Sequence, residues 1–272
     1  MLFSWLKRRR RRRLTAQPFP TEWQRYLQQN VPYFARLTPE EQRQLQGLVQ
    51  VFVAEKNWEG CGGLTLTDEM RVTIAAAAGV LLLGLARHDY FSRVLSVLVY
   101  PGGFVAPVRE PLSDQVFSDV YLQDEEDRLG EASPDGAVVL AWDEVLWESR
   151  HPGSGHNLVW HEFAHQLDMQ DRHTDGVPPL GDRALAARWQ AVMSREYRRL
   201  VSADRRNRRT LLDPYGAQDE AEFFAVVTEC FFDRPGKLLA EHPELYDVLR
   251  AYYGQDPAQR VAGPLNSPKP RR

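Results

Sequence analysis

Trp160-His161-Glu162-Phe163-Ala164-His165-Gln166-Leu167-Asp168 sets two imidazoles four positions apart, with a carboxylate beside the first. On an α-helix, residues i and i+4 differ by ~400° of rotation and ~6 Å of rise, so His161 and His165 leave one face a turn apart. Both can then reach one ion. Zinc suits two imidazoles and a carboxylate, and a catalytic zinc site keeps its fourth position for water. Glu162 would stand at the rim, placed to take a proton from that water. The flanking sequence predicts the helix this reading needs. Ser154, in the loop His151-Pro152-Gly153-Ser154-Gly155, is a candidate cap, and Leu158, Phe163 and Leu167 supply apolar packing. The competing reading is a helix with two surface histidines. With seven His in the chain, a chance H-E-x-x-H is expected on the order of once per hundred such sequences.

Two histidines leave the shell incomplete, and three residues are candidates to close it. Asp171, six past His165, is where one class of zinc peptidases places its third ligand, but that class needs a glycine three residues after the second histidine. Asp168 stands there instead, so a continuing helix carries Asp171 away. Glu222 and Glu229 are seven apart and share one face of a helix expected over residues 219–232. Phe223, Phe224, Val226 and Val227 mark that helix as core, where a carboxylate is costly unless paired or metal-bound. Ala225 is small enough to let two helices approach. Burial alone does not choose between the two glutamates. Asp168, three beyond His165 and seven beyond His161, shares the histidine face and is placed to orient an imidazole. His151, His156 and His173 lack ligand spacing and read as loop residues.

Working outward, helices dominate and a small sheet accompanies them. Thr38-Pro39-Glu40-Glu41 combines an N-cap, a proline at the first helical position and a glutamate closing a capping box. The helix it starts carries Leu45, Leu48, Val49 and Phe52 at helical spacing. A short helix is expected over residues 21–29. Thr67 caps another, whose run Val72 to Ala86 falls short of the ~20 residues that cross a bilayer and reads as a buried core helix. Val94 to Tyr100 and Ala137 to Ala141 read as strands, and residues 113–136 as a polar loop. Residues 183–201 and 238–253 are helical. The expected fold class is mainly α with a small β-sheet (α+β), in one domain over residues 21–262, with a basic disordered tail over 1–20 and a second tail over 263–272.

With 43% hydrophobic residues the chain can fill a core. Cys61 and Cys230 cannot build a disulfide framework and read as buried, reduced thiols. The N-terminus places apolar residues before its charges, the reverse of a secretory signal, and predicts a protein that is not secreted. Lys7 to Arg13 are seven consecutive cations; removing them from the formal net charge of −3 leaves −10 on the remainder. Self-repulsion alone accounts for an extended tail. Such a block can also touch an anionic membrane surface, helped by Phe3 and Trp5, or nucleic acid, although no nucleic-acid recognition motif or interleaved aromatics accompany it.

His161 to Asp168, then Gly176-Val177-Pro178, Asp213-Pro214-Tyr215-Gly216-Ala217 and Ala221-Glu222-Phe223-Phe224-Ala225-Val226 together resemble the Mlc titration factor A family of bacterial zinc metallopeptidases. The resemblance runs from about Trp23 to Pro257 and leaves out both tails. It implies a zincin-like metallopeptidase core with Glu222 as third zinc ligand, Glu162 as general base and Tyr215 as hydroxyl donor to the oxyanion. Glu229 then becomes a supporting or structural residue. The resemblance further implies a cytoplasmic protein with aminopeptidase-like activity on peptides, whose relatives bind a glucose-responsive transcriptional repressor. The seven-cation stretch departs from the family pattern.

Overall fold

The computed structural model describes residues 2–103, 130–132 and 136–260. Its helices are α1 (Leu2–Thr15), α2 (Thr21–Asn30), α3 (Pro39–Glu55), α4 (Asp68–Leu82), α5 (Trp142–Arg150), α6 (Leu158–Asp168), α7 (Arg183–Asp204), α8 (Glu220–Asp233), α9 (Pro235–Glu241) and α10 (Pro243–Tyr253). The strands β1 (Asn57–Gly60), β2 (Ser96–Tyr100), β3 (Gly130–Ala132) and β4 (Ala137–Ala141) form one sheet in the order β1-β2-β4-β3. β1, β2 and β4 run parallel, while β3 lies antiparallel to β4 with Gly130 opposite Leu140. The fold is mainly α with a small sheet, as the sequence predicts.

Local chemistry accounts for the element boundaries. Thr38 and Glu41 form the reciprocal capping box at the head of α3, and Thr67 accepts from the Met70 amide to start α4. From Val72 to Leu82 α4 is buried on every side, so it runs through the core rather than along it. β2 and β4 alternate, with Val97, Val99, Val138 and Leu140 buried against the helices. The metal-motif helix α6 packs between α4, α8 and the sheet.

Several expectations need correction. The basic stretch is not an extended tail but half of α1, docked on α3. Arg11 forms a two-pronged ion pair with Glu55 (2.9 and 2.6 Å), which offsets part of the like-charge repulsion. The cap of α6 is Asn157, whose Oδ1 accepts from the Trp160 amide; Ser154 instead bonds within its own loop, to His156. Cys61 is only half-buried, whereas Cys230 is buried. β1, β3 and α5 were not foreseen. Of the loop expected over residues 113–136, residues 130–132 form β3, and 113–129 and 133–135 lie outside the described residues, as does the C-terminal tail 263–272. Among the described residues, no helix is long and apolar enough to cross a membrane.

Candidate metal centre

Two helices build the site. Asn157 caps α6, and one turn later His161 and His165 project toward α8 with ring centroids 4.9 Å apart, edge to face. Asp219 caps α8 by accepting from the Glu222 amide (2.9 Å), and that first turn carries Glu222 toward the histidines. His161 Nε2 lies 3.0 Å from Glu222 Oε2 and His165 Nε2 lies 3.5 Å from Glu222 Oε1. Ligand atoms from the three side chains all fall within 4.8 Å of one another.

This arrangement fits a tetrahedral cation. With metal–ligand bonds of ~2.0–2.1 Å, tetrahedral ligand atoms stand ~3.4 Å apart. The two imidazole-to-carboxylate distances bracket that value. The donor set of two imidazoles and one carboxylate also matches the zinc preference. Of the three candidates for the third position, the structure brings Glu222 to both histidines. Asp171 is exposed beyond the end of α6, where its Oδ1 accepts from the His173 amide.

Glu229 sits behind the histidines. Its Oε1 accepts from the Asn157 amide (2.9 Å) and its Oε2 lies 3.5 Å from His161 Nδ1, so it braces both the cap and the ring of α6. A carboxylate on the far nitrogen of a ligating imidazole fixes its tautomer and raises its basicity. Asp168 forms no hydrogen bond with either imidazole, and its Oδ1 and His165 Nδ1 are both buried without a hydrogen-bond partner among the described residues. It is fully buried, and its Oδ2 accepts from the Gly176 amide (2.9 Å), tying the end of α6 to the Gly176-Val177-Pro178 loop. That loop runs against α8, and a side chain at Gly176 would collide with the Glu220 carbonyl, 2.2 Å from where its Cβ would lie. The quoted Gly-Val-Pro thus helps hold together the helices that carry His161, His165 and Glu222.

Electrostatics separates the carboxylates. Burial opposes ionisation of Glu222, but hydrogen bonds to His161 and His165 outweigh it and bring its pKa down to about 2. Burial likewise opposes charge on His161, yet Glu222 and Glu229 hold its pKa well above the ordinary imidazole value. The pocket is therefore one that favours positive charge. Glu162, beside His161 and 5% exposed, is pushed up to about 7, chiefly by burial. Glu148 on α5 was not foreseen; burial pushes it up to about 8 while it accepts from the Leu158 amide at the head of α6.

Tyr215 stands at the mouth. Asp213 Oδ1 accepts from its amide (2.8 Å) in a 3-10 turn over Pro214–Ala217, its ring centroid is 5.8 Å from that of His161, and it is 49% exposed. On the other side, β3 ends the described sheet beside α6, and Gly130 brings its backbone against the Glu162 carboxylate. Asn157 was legible as an N-cap residue two positions before Val159. Gly130 carried no such signal.

Comparison with known proteins agrees with this geometry. The sequence model of the family described as glucose-regulated metallo-peptidase M90 matches residues 5–254. An uncharacterized protein of Synechocystis sp. is 42% identical over 251 residues, covering 91% of this chain and 89% of its own length. Mlc titration factor A of Pectobacterium atrosepticum is 34% identical over 240 residues (85% and 86%), and that of Yersinia enterocolitica 33% over 252 residues (88% and 87%). The family match begins at residue 5, so it includes the basic stretch that the sequence reading had set outside the resemblance.

Proposed function

The chain belongs to the glucose-regulated metallo-peptidase M90 family, and from that premise we propose that it is a zinc-dependent peptidase, aminopeptidase-like, acting on peptides in the cytoplasm. The observation that carries this reading is the convergence of His161, His165 and Glu222 within ligand distance, with the buried Glu162 beside them. His161, His165 and Glu222 would hold the zinc, which when bound would supply Lewis acidity and lower the pKa of a water toward ~7.

The chain's own residues do the rest. Glu162, with a pKa of about 7 set chiefly by burial, is a carboxylate that exchanges a proton readily near neutral pH. It takes the proton of the attacking water at a carboxylate oxygen and returns it to the leaving nitrogen. The Tyr215 hydroxyl donates to the oxyanion formed from the scissile carbonyl, and losing one such donor typically costs ~100- to 1000-fold. Glu229 keeps the His161 ring in its ligating orientation.

A second reading is favoured by the names of the relatives. Mlc titration factor A proteins are named for titrating Mlc, and this chain binds a transcriptional repressor of that kind, with the metal site shaping the contact surface and hydrolysis incidental. Glu162→Gln separates the two. It removes the proton carrier and leaves all three ligands, so hydrolysis of an aminoacyl reporter panel is lost while zinc content and repressor binding persist. Full hydrolysis by Glu162→Gln would sink the peptidase mechanism, and loss of repressor titration in cells by the same variant would sink the binding reading.

A further inference from the structure

α1 is held in one orientation by the cations on its inner face. Arg11 pairs with Glu55, donates to the Asp89 carbonyl (3.2 Å) and lies over the Tyr90 ring at 4.1 Å. Arg10 donates to the Ala54 carbonyl (3.0 Å), and Lys7 stands 4.0 Å from Glu55. Fixing that face determines the other. Positions 5, 9 and 12 follow at i, i+4 and i+7, so Trp5, Arg9 and Arg12 share the outward stripe, flanked by Arg8 and Arg13. All five are exposed, Trp5 to 52%, with Leu6 at its edge exposed to 47%. The Arg9 guanidinium lies 5.5 Å from the Trp5 ring centroid, bringing cation and aromatic to one patch.

We propose that the outer face of α1 is a docking surface for an anionic lipid bilayer. Two observations converge on that partner. The first is charge: outside Lys7 to Arg13 the chain carries −10, so this stripe is where an anionic surface is attracted rather than repelled. The second is the apolar end of the same stripe. A bilayer accepts an indole and a leucine at the headgroup boundary beside the arginines that bind its headgroups, and stable attachment takes two such signals. Nucleic acid offers only the charge, and the stripe has no base-reading side chains. Association is peripheral, through a helix lying along the membrane plane, because no helix among the described residues is long and apolar enough to span it.

The test is cosedimentation of the full-length protein with phosphatidylcholine vesicles, with and without phosphatidylserine, and with duplex DNA as a competitor. The protein pellets with the phosphatidylserine vesicles and stays in solution with phosphatidylcholine alone. Each arginine is worth ~5-fold in membrane affinity, so Arg9→Gln, Arg12→Gln and Arg13→Gln combined weaken binding by ~100-fold. Trp5→Ala weakens it further at fixed charge. None of these side chains pairs with Glu55, so circular dichroism and zinc content match the parent. The proposal is overturned if binding is equal with and without phosphatidylserine, if the triple variant binds like the parent, or if duplex DNA removes the protein from vesicles.

Discussion

Gly130→Ala tests whether strand β3 positions the proton carrier. A Cβ at residue 130 would stand 2.4 Å from Glu162 Oε1, 2.9 Å from its Cδ and 2.7 Å from Leu158 Cδ1, where ordinary contact begins near 3.4 Å. Something must retreat by about 1 Å, a displacement that at a reacting group costs on the order of 100-fold. The Glu162 carboxylate is the group closest to the new methyl. Leu158 Cδ1 is the free end of an aliphatic side chain and can turn aside, whereas both the Oε1 and the Cδ of Glu162 lie in the way of the new methyl. The expected result is a kcat on an aminoacyl reporter reduced by ~100-fold, with zinc content by elemental analysis equal to that of the parent. Crowding the core also costs about 1–3 kcal/mol, visible as a drop of several degrees in the melting temperature. The reasoning fails if the variant keeps kcat within a factor of ~2, since a misplaced base costs far more. It fails as well if activity and zinc disappear together, because the strand would then be supporting the ligands rather than Glu162.

Three further outcomes follow from the same geometry. Glu229→Gln keeps the shape and removes the charge facing His161 Nδ1, so zinc affinity measured against a competing chelator falls by ~10- to 100-fold; an unchanged affinity would show that Glu229 is only structural. With Glu162 as the base, activity declines as pH falls through its pKa, which burial raises from 4.5 to about 7; an acid limb that persists in Glu162→Gln contradicts the assignment. Zinc removal lowers stability by mass action, by ~4 kcal/mol when free zinc had stood at ~1000 times its Kd, which is on the order of 10 °C in melting temperature. A calorimetric scan unchanged by chelator would refute metal binding at the site.

The parts of the molecule that were legible in sequence are those whose chemistry is local. The capping box at Thr38, the Thr67 cap, the apolar α4 and the i, i+4 histidines each depend on neighbours within a turn or two. Spacing alone only narrowed the third ligand, because Glu222 and Glu229 occupy one face of one helix and differ in height along α6; the family resemblance was what singled out Glu222. What the sequence hid depends on tertiary pairing. β1, with Asn57 and Glu59 among its four residues, has no strand signature and exists because its backbone pairs with β2. α1 was hidden by its own charge. Self-repulsion predicts an unfolded tail, and what opposes it is a carboxylate 44 residues away, a carbonyl at Asp89 and the face of Tyr90.

The carboxylates around α6 are sorted by what each one faces. Glu222 meets two imidazoles that outweigh its burial and is held as an anion down to about pH 2, whereas at Glu162 and Glu148 burial prevails and pushes them up to about 7 and 8. A permanent anion suits a ligand that must stay bound as protons come and go. A carboxyl whose two protonation states lie close in energy suits a proton carrier. Adjacent glutamates of one chemical type thus acquire different capacities from their positions on two crossing helices. The ranking of Glu162 follows from its place between His161 and the strand backbone at Gly130, where only 5% of it is exposed, and not from the H-E-x-x-H spacing that first singled it out. A helix carrying the same spacing on an exposed face would offer the two imidazoles without the buried carboxyl, and could bind a metal without moving a proton.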